Sequence, residues 1–249
     1  MPLRAGLTAA SLAVLIAGPG AGAAVRPRIL VPAYFDPPSR TWTTALSAPA
    51  QTILIANPDN GPGASAQPAY GQLISRARTG GRDLIGYVYT SSGSRPISSV
   101  ERDIDRWATF YGIHGIFFDE VSQSPAQLWY YRKITAYAHA HDATVVVLNP
   151  GTVPARGYFG LDAIVVTFED TYAAFRHTSF PHWLRREPAV LEANIVYAVP
   201  DAADARSTLA AMRAHGVGVG YVTGAGTDGS NPYAGLPPYY GSETGWLSR

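Results

Sequence analysis

The chain reads as an α/β protein, a single (β/α)8 TIM barrel preceded by a cleavable signal peptide, and three observations predict this. The length of 249 residues is close to the usual size of one such barrel. Eight short apolar segments rich in Val, Ile and Tyr look like strands buried on both faces. Helical patterns fall between most of them. Such alternation implies a parallel sheet with right-handed crossovers, and a count of eight favours closure over a doubly wound sheet.

Taken in order, residues 1–23 read as the targeting segment. Arg4 supplies the positive start, Gly6 to Gly18 the apolar stretch, and Ala21-Gly22-Ala23 a small-residue cleavage site. An apolar run of this length is short for a membrane span, so secretion is expected rather than stable membrane insertion. Residues 24–249 are then one barrel domain with no linker or repeat. Its strands are expected at Ile29–Phe35, Thr52–Ala56, Leu84–Tyr89, Ile113–Phe118, Thr144–Leu148, Ala163–Phe168, Ile195–Val199 and Val217–Val222. Gly80-Gly81 reads as a helix stop. Ser98-Ser99-Val100-Glu101 has the form of a capping box, with Val100, Ile104, Trp107 and Tyr111 following at helical spacing. Ser124-Pro125 opens the next helix, which runs through Trp129, Tyr130 and Ile134 to His141. Asp201 caps a further helix that passes Leu209 and Met212 and stops at Gly216. Gly224 to Arg249, rich in Gly, Pro and Tyr, is expected to cap one end of the barrel.

Composition narrows the function. A net charge of +1 from 19 basic and 18 acidic residues gives no basic surface for nucleic acid. The absence of cysteine removes disulfides, a thiol nucleophile and a thiolate zinc site. The 15 tyrosines suit sugar binding, since a ring face covers pyranose C–H groups while the hydroxyl bonds to its rim.

Barrel enzymes place their chemistry at the C-terminal ends of the strands. Those ends carry Tyr34 and Asp36, Asn57, Tyr87 and Tyr89, Asp119-Glu120, Asn149, Glu169, and Tyr221. Asp119 and Glu120 follow the apolar run Gly115-Ile116-Phe117-Phe118, so low-dielectric walls can raise a carboxyl pKa and make a general acid. Neighbours on a strand point to opposite faces, so these two do not flank one glycosidic bond together. A glycosidase needs its carboxyl groups about 5 to 10 Å apart. Glu169 is therefore the expected partner of Glu120, with Asp36 the alternative and Asp119 in support. Tyr34, Asp36, Asn57, Tyr87, Tyr89, Asn149 and Tyr221 are the expected substrate contacts.

No metal or cofactor is expected. His114 reads as a core histidine within strand four, and His139 and His141 stand at a spacing that does not share one helix face. His177 and His182 read as surface residues. Gly216, Gly218 and Gly220 read as a helix stop and tight strand packing rather than a dinucleotide fingerprint.

With these pieces in place, the sequence resembles the spherulation-specific family 4 (spherulin-4) proteins. The resemblance is carried by Val31-Pro32-Ala33-Tyr34, Asn57-Pro58-Asp59-Asn60-Gly61-Pro62-Gly63, Gly86-Tyr87-Val88-Tyr89-Thr90, Gly115 to Glu120, Leu148-Asn149-Pro150-Gly151, Phe168-Glu169 and Leu236-Pro237-Pro238-Tyr239-Tyr240. It implies a (β/α)8 glycoside hydrolase that cuts α-1,4-linked galactosamine or N-acetylgalactosamine internally, in a galactosaminogalactan-type exopolysaccharide. It also implies that Asp119, Glu120 and Glu169 are the essential carboxylates. The expectation is thus a secreted, monomeric endo-glycosidase. The alternatives are a non-catalytic carbohydrate-binding or coat protein, and a metal-dependent polysaccharide deacetylase.

Overall fold

The computed structural model describes residues 27–247 except Ala50, Gly81 and Thr227; the expected signal segment at residues 1–23 lies outside the described residues. The eight strands are β1 (Arg28–Ala33), β2 (Thr52–Ala56), β3 (Asp83–Tyr89), β4 (Gly115–Asp119), β5 (Val146–Leu148), β6 (Ile164–Thr171), β7 (Glu192–Tyr197) and β8 (Val219–Val222). They close into a barrel in chain order, every neighbour parallel, with β8 returning to β1. Around it run α1 (Arg40–Ala45), α2 (Pro68–Thr79), α3 (Ile97–Arg106), α4 (Leu128–Ala140), the short α5 (Tyr172–Phe175), α6 (Ala202–His215) and α7 (Tyr240–Leu247).

Glycines reveal which residues face outward. A Cβ on Gly86 would lie 2.3 Å from the Trp107 ring, and one on Gly220 would meet Met212, Leu209 and Leu247. Both therefore face the helix layer, and their strand neighbours face in. Paired residues share a face, so Ile55, Ile85, Phe117 and Val147 belong to the filled interior, with Tyr87 above them. Each of these side chains is almost wholly buried, which stabilises the fold by about 1.5–3 kcal/mol apiece.

The helix signals hold with one correction, and the reading of His114 is corrected as well. Ser124 caps through the Ala126 N–H, and Asp201 accepts from both Ala203 and Asp204. Gly216 ends α6 in the left-handed region at φ 94°, where an L side chain is disfavoured. The Ser98 capping box does not form. The helix already begins at Ile97 after Pro96, whose φ of −54° is helix-compatible, so Ser98 falls inside the first turn and no side chain caps the end. His114 is not a core residue. Strand β4 starts one residue later, at Gly115, and the exposed imidazole sits by the His141 carbonyl, 3.1 Å away.

A single irregularity in the sheet sets the direction of Glu169. Between β6 and β7 the register runs Val166 to Ala193 and then Phe168 to Asn194, leaving Thr167 as an extra residue. This bulge lets Thr167 and Phe168 both face the helix layer, where Phe168 packs against Phe175 and Phe180. Glu169 is thereby turned inward. The bulge is pinned from behind by buried polar groups: the Thr167 hydroxyl donates to Glu192 at 2.9 Å and accepts from the Asn194 amide at 2.8 Å.

Candidate active site

At the C-terminal mouth of the barrel, the ends of β3 to β6 bring four side chains into one chain of hydrogen bonds. The Tyr87 hydroxyl donates to Asp119 Oδ2 at 2.7 Å. Asn149 Nδ2 donates to Asp119 Oδ1 at 2.8 Å and also to Glu169 Oε2. The other oxygen of Glu169 accepts from the Tyr233 hydroxyl. Asn149 is itself held by its Oδ1, which accepts the Gly151 N–H at 3.0 Å. One amide thus holds both carboxyl groups, which places their facing oxygens within about 5 Å of each other.

Burial dominates the electrostatics here. It pushes the Glu169 carboxyl above its ordinary range, and the Asp119 charge adds to the rise, while the bonds from Tyr233 and Asn149 oppose it. The phenols of Tyr34, Tyr87 and Tyr233 are pushed up by burial first and by the facing carboxylates second, so they stay neutral donors. Tyr34 sets the aromatic frame, edge-on to Tyr87 at 5.8 Å and to Tyr233 at 5.7 Å.

Asp119, and not Glu120, is the β4 residue that reaches this cluster. Asp119 pairs with Tyr89 at the last inward position of the strand. Glu120 then takes a left-handed backbone, φ 52°, strain of about 1–3 kcal/mol for a non-glycine residue. Its carbonyl is held in place by the Ser92 N–H at 2.8 Å and the Thr90 hydroxyl at 2.9 Å. The side chain is exposed at the rim, near enough for its charge to act on Tyr87 and Tyr131.

The expected substrate contacts divide. Tyr34, Tyr87 and Asn149 belong to the cluster. Tyr89 lies beside it, its ring 4.2 Å below the Arg95 guanidinium. Asn57 shapes the loop after β2 by accepting the Gly61 N–H at 2.8 Å, and Asp36 is exposed on the loop after β1. Tyr221 is not brought to the cluster. It is wholly buried within β8, and the charge that acts on it is that of Glu243 on α7. Sequence reasoning missed Tyr233 because it comes from the Gly- and Pro-rich stretch after β8 and not from a strand end. Its only signal there was a tyrosine in a segment expected to cap the barrel. Among the described residues no group of three or more His, Cys, Asp or Glu is placed to hold a metal ion, and no helix is long and apolar enough to cross a membrane.

Comparisons with known proteins bear on the family and the fold. The profile of spherulation-specific family 4 matches residues 28–245. Spherulin-4 of Physarum polycephalum is 33% identical over 168 residues, which is 65% of this chain and 50% of that protein, so the chain spans about half of the relative's length. The crystal structure of Aspergillus clavatus Sph3 in complex with GalNAc superposes with a TM-score of 0.76 at 25% identity, covering 91% of this chain and 99% of that one. A chitinase from Chromobacterium violaceum shares the fold at a TM-score of 0.58 and 10% identity, over 90% and 99% of the two chains.

Proposed function

Because this chain belongs to spherulation-specific family 4, we propose that it is a secreted glycoside hydrolase that cuts α-1,4-linked galactosamine or N-acetylgalactosamine polymers internally. The likeness to Sph3, crystallised with GalNAc, supports a hexosamine substrate. The observation that carries the reading is the Asn149 amide holding Asp119 and Glu169 together. Carboxyl groups held this close by one amide suit the retaining mechanism, whereas inversion needs a wider gap for water.

In that mechanism Glu169, whose proton affinity burial raises, donates its proton to the glycosidic oxygen as the C–O bond breaks. Asp119, steadied by Tyr87 and Asn149, meets the anomeric carbon as nucleophile. Glu169 then takes a proton from the water that releases the sugar from Asp119. Glu120 stands at the rim beside the entering chain. Its strained and doubly held backbone favours a second reading, in which Glu120 is the proton donor and Asp119–Glu169 steady the charge on the sugar.

Defined α-1,4-galactosamine and N-acetylgalactosamine oligomers, with products read by mass spectrometry, test both. Asp119→Asn and Glu169→Gln are expected to lose about 100-fold or more in kcat. An aryl glycoside needs little help from an acid, so it restores whichever of Glu169→Gln and Glu120→Gln lacks the proton donor. Intact rates in all three variants would refute the proposal. Secretion is checked by N-terminal sequencing of protein from the culture medium, where the chain is expected to start at or next to Ala24.

A further inference from the structure

The seam where β8 meets β1 parts early. Their register runs only from Arg28–Val219 to Ile29–Gly220, whereas β7 follows β8 as far as Val222. The sequence of β1 contributes to this. The Arg28 N–H reaches across to the Gly218 carbonyl at 3.0 Å, but Pro32, four positions on along the same edge, has no N–H to offer. On β8 the Thr223 N–H turns to β7, 2.9 Å from the Val196 carbonyl, so the Val222 N–H faces the parted seam. There it donates at 3.3 Å to Oε2 of Glu243, a wholly buried carboxyl of α7. We propose that Glu243 is a positioning residue of the active site: it ties α7 to the end of β8 and so closes the strap that presents Tyr233 to Glu169. The inference rests on the glycosidase reading above.

Val222 and Glu243 stand 21 positions apart and are the two ends of this strap. Holding the ends of a loop together removes freedom from its middle, where Tyr233 stands. The turns along the strap are local, such as the Ser230 N–H to Asp228 at 3.0 Å and the Tyr233 N–H to Asn231 at 2.9 Å. They set its shape and not its place over the barrel. The helix at its far end is seated on the seam. Gly220 leaves room for it, since a Cβ there would lie 3.5 Å from Leu247, and the Tyr240 hydroxyl donates to the Ala45 carbonyl at 3.2 Å. The other lip of the seam leads to the same cluster, because Tyr34 follows β1 and meets Tyr233 edge-on at 5.7 Å. An apolar residue could pack α7 here without the cost of taking a carboxyl out of water, so Glu243 marks a specific tie rather than mere filling. Among the described residues no ion pair involves it, and the phenols of Tyr221, Tyr239 and Tyr240 lie within its electrostatic reach. Burial pushes its carboxyl well above the ordinary range, so it is held protonated, a donor as well as an acceptor.

The test compares wild type with Glu243→Leu, Glu243→Gln, Glu243→Asp, Tyr233→Phe and the double variant Glu243→Leu/Tyr233→Phe. It reads kcat against pH on hexosamine oligomers, and hydrogen exchange of residues 224–239 by mass spectrometry. Leu fills the space without an acceptor, so residues 224–239 are expected to exchange about tenfold faster, with β2 to β5 unchanged. Loss of the Tyr233 bond raises the proton affinity of Glu169, so the alkaline limb of kcat is expected to move up by about one pH unit in Glu243→Leu, as in Tyr233→Phe. The double variant is expected to move no further, since both changes remove the same bond. Glu243→Gln keeps an acceptor and a donor and is expected to match wild type in both readouts. Glu243→Asp, one carbon shorter, draws the carboxyl back from Val222 and is expected to show the same effects at smaller size, which decides the matter if Glu243→Leu does not fold. An unmoved limb or unchanged exchange in Glu243→Leu and Glu243→Asp, or shifts that add in the double variant, would overturn the proposal. If wild type hydrolyses no hexosamine oligomer, the glycosidase reading falls, while faster exchange in Glu243→Leu, reversed in Glu243→Gln, would still uphold the tie.

Discussion

Glu192 lies behind the active site, on the helix side of β7, yet it supports the bulge that aims Glu169. It is 2% exposed and hydrogen-bonded by Thr167. Burial, with a smaller contribution from Glu187, pushes its carboxyl up from 4.5 to about 7 against the lowering effect of the Thr167 bond. A carboxyl whose affinity for its proton is higher in the folded state contributes stability that is fully present below pH 4.5. That contribution is lost as pH rises through about 7. At 1.36 kcal/mol per pKa unit, the rise amounts to about 3 kcal/mol across this window. Glu192→Gln keeps the shape and the acceptor but does not ionise, so its stability is expected to lack this component. Urea unfolding of both proteins from pH 4 to 8, followed by circular dichroism, measures the difference. Glu169 and Glu243, also raised by burial, act with the same sign in both proteins and cancel from the comparison. The wild type is expected to lose about 3 kcal/mol more than the variant between the ends of the range. Parallel curves would show that Glu192 does not titrate in the folded protein, and the reasoning would fail.

Three further outcomes are expected from the same geometry. Tyr233→Phe removes a donor that opposes the rise at Glu169, so the alkaline limb of the kcat profile is expected to move to higher pH; an unmoved limb would separate Glu169 from the proton transfer. Asn149→Ala breaks the bridge between two carboxyl groups, and at about 1.5–3 kcal/mol for a hydrogen bond to a charged group, kcat/KM is expected to fall by about 10- to 100-fold, with an unchanged circular dichroism spectrum as the control. Gly86→Ala drives a methyl into Trp107, whose indole N–H bonds the Tyr87 carbonyl at 2.9 Å, and a loss of about 1–3 kcal/mol in thermal unfolding is expected, together with reduced activity as β3 shifts.

Much of this architecture was legible in the sequence. All eight strands fall where apolar β-rich runs stand, because a strand between barrel interior and helix layer is buried on both faces. Asp201, Ser124 and Gly216 marked helix ends because their local chemistry does not depend on distant residues. Spacing likewise placed Asp119, Asn149 and Glu169 at strand ends. That same double burial removed the information needed to orient them. Gly115 to Phe118 is apolar throughout, so alternation separates Asp119 from Glu120 without telling which of the two faces inward. Closure of the barrel decided for Asp119, the partner of Tyr89 in the register, and the left-handed turn at Glu120 left that side chain at the rim. On β6 plain alternation from Val166 would have turned Glu169 outward. The extra residue at Thr167 reverses the phase, and it depends on Glu192 and Asn194 from the next strand. Tyr233 reaches Glu169 from 64 positions away. By itself the sequence determined the fold, the strand ends and the residue types gathered there, because these follow from local pattern. Only the tertiary structure decided which carboxyl groups share one amide, because register, bulge and loop return are set by contacts between segments far apart in the chain.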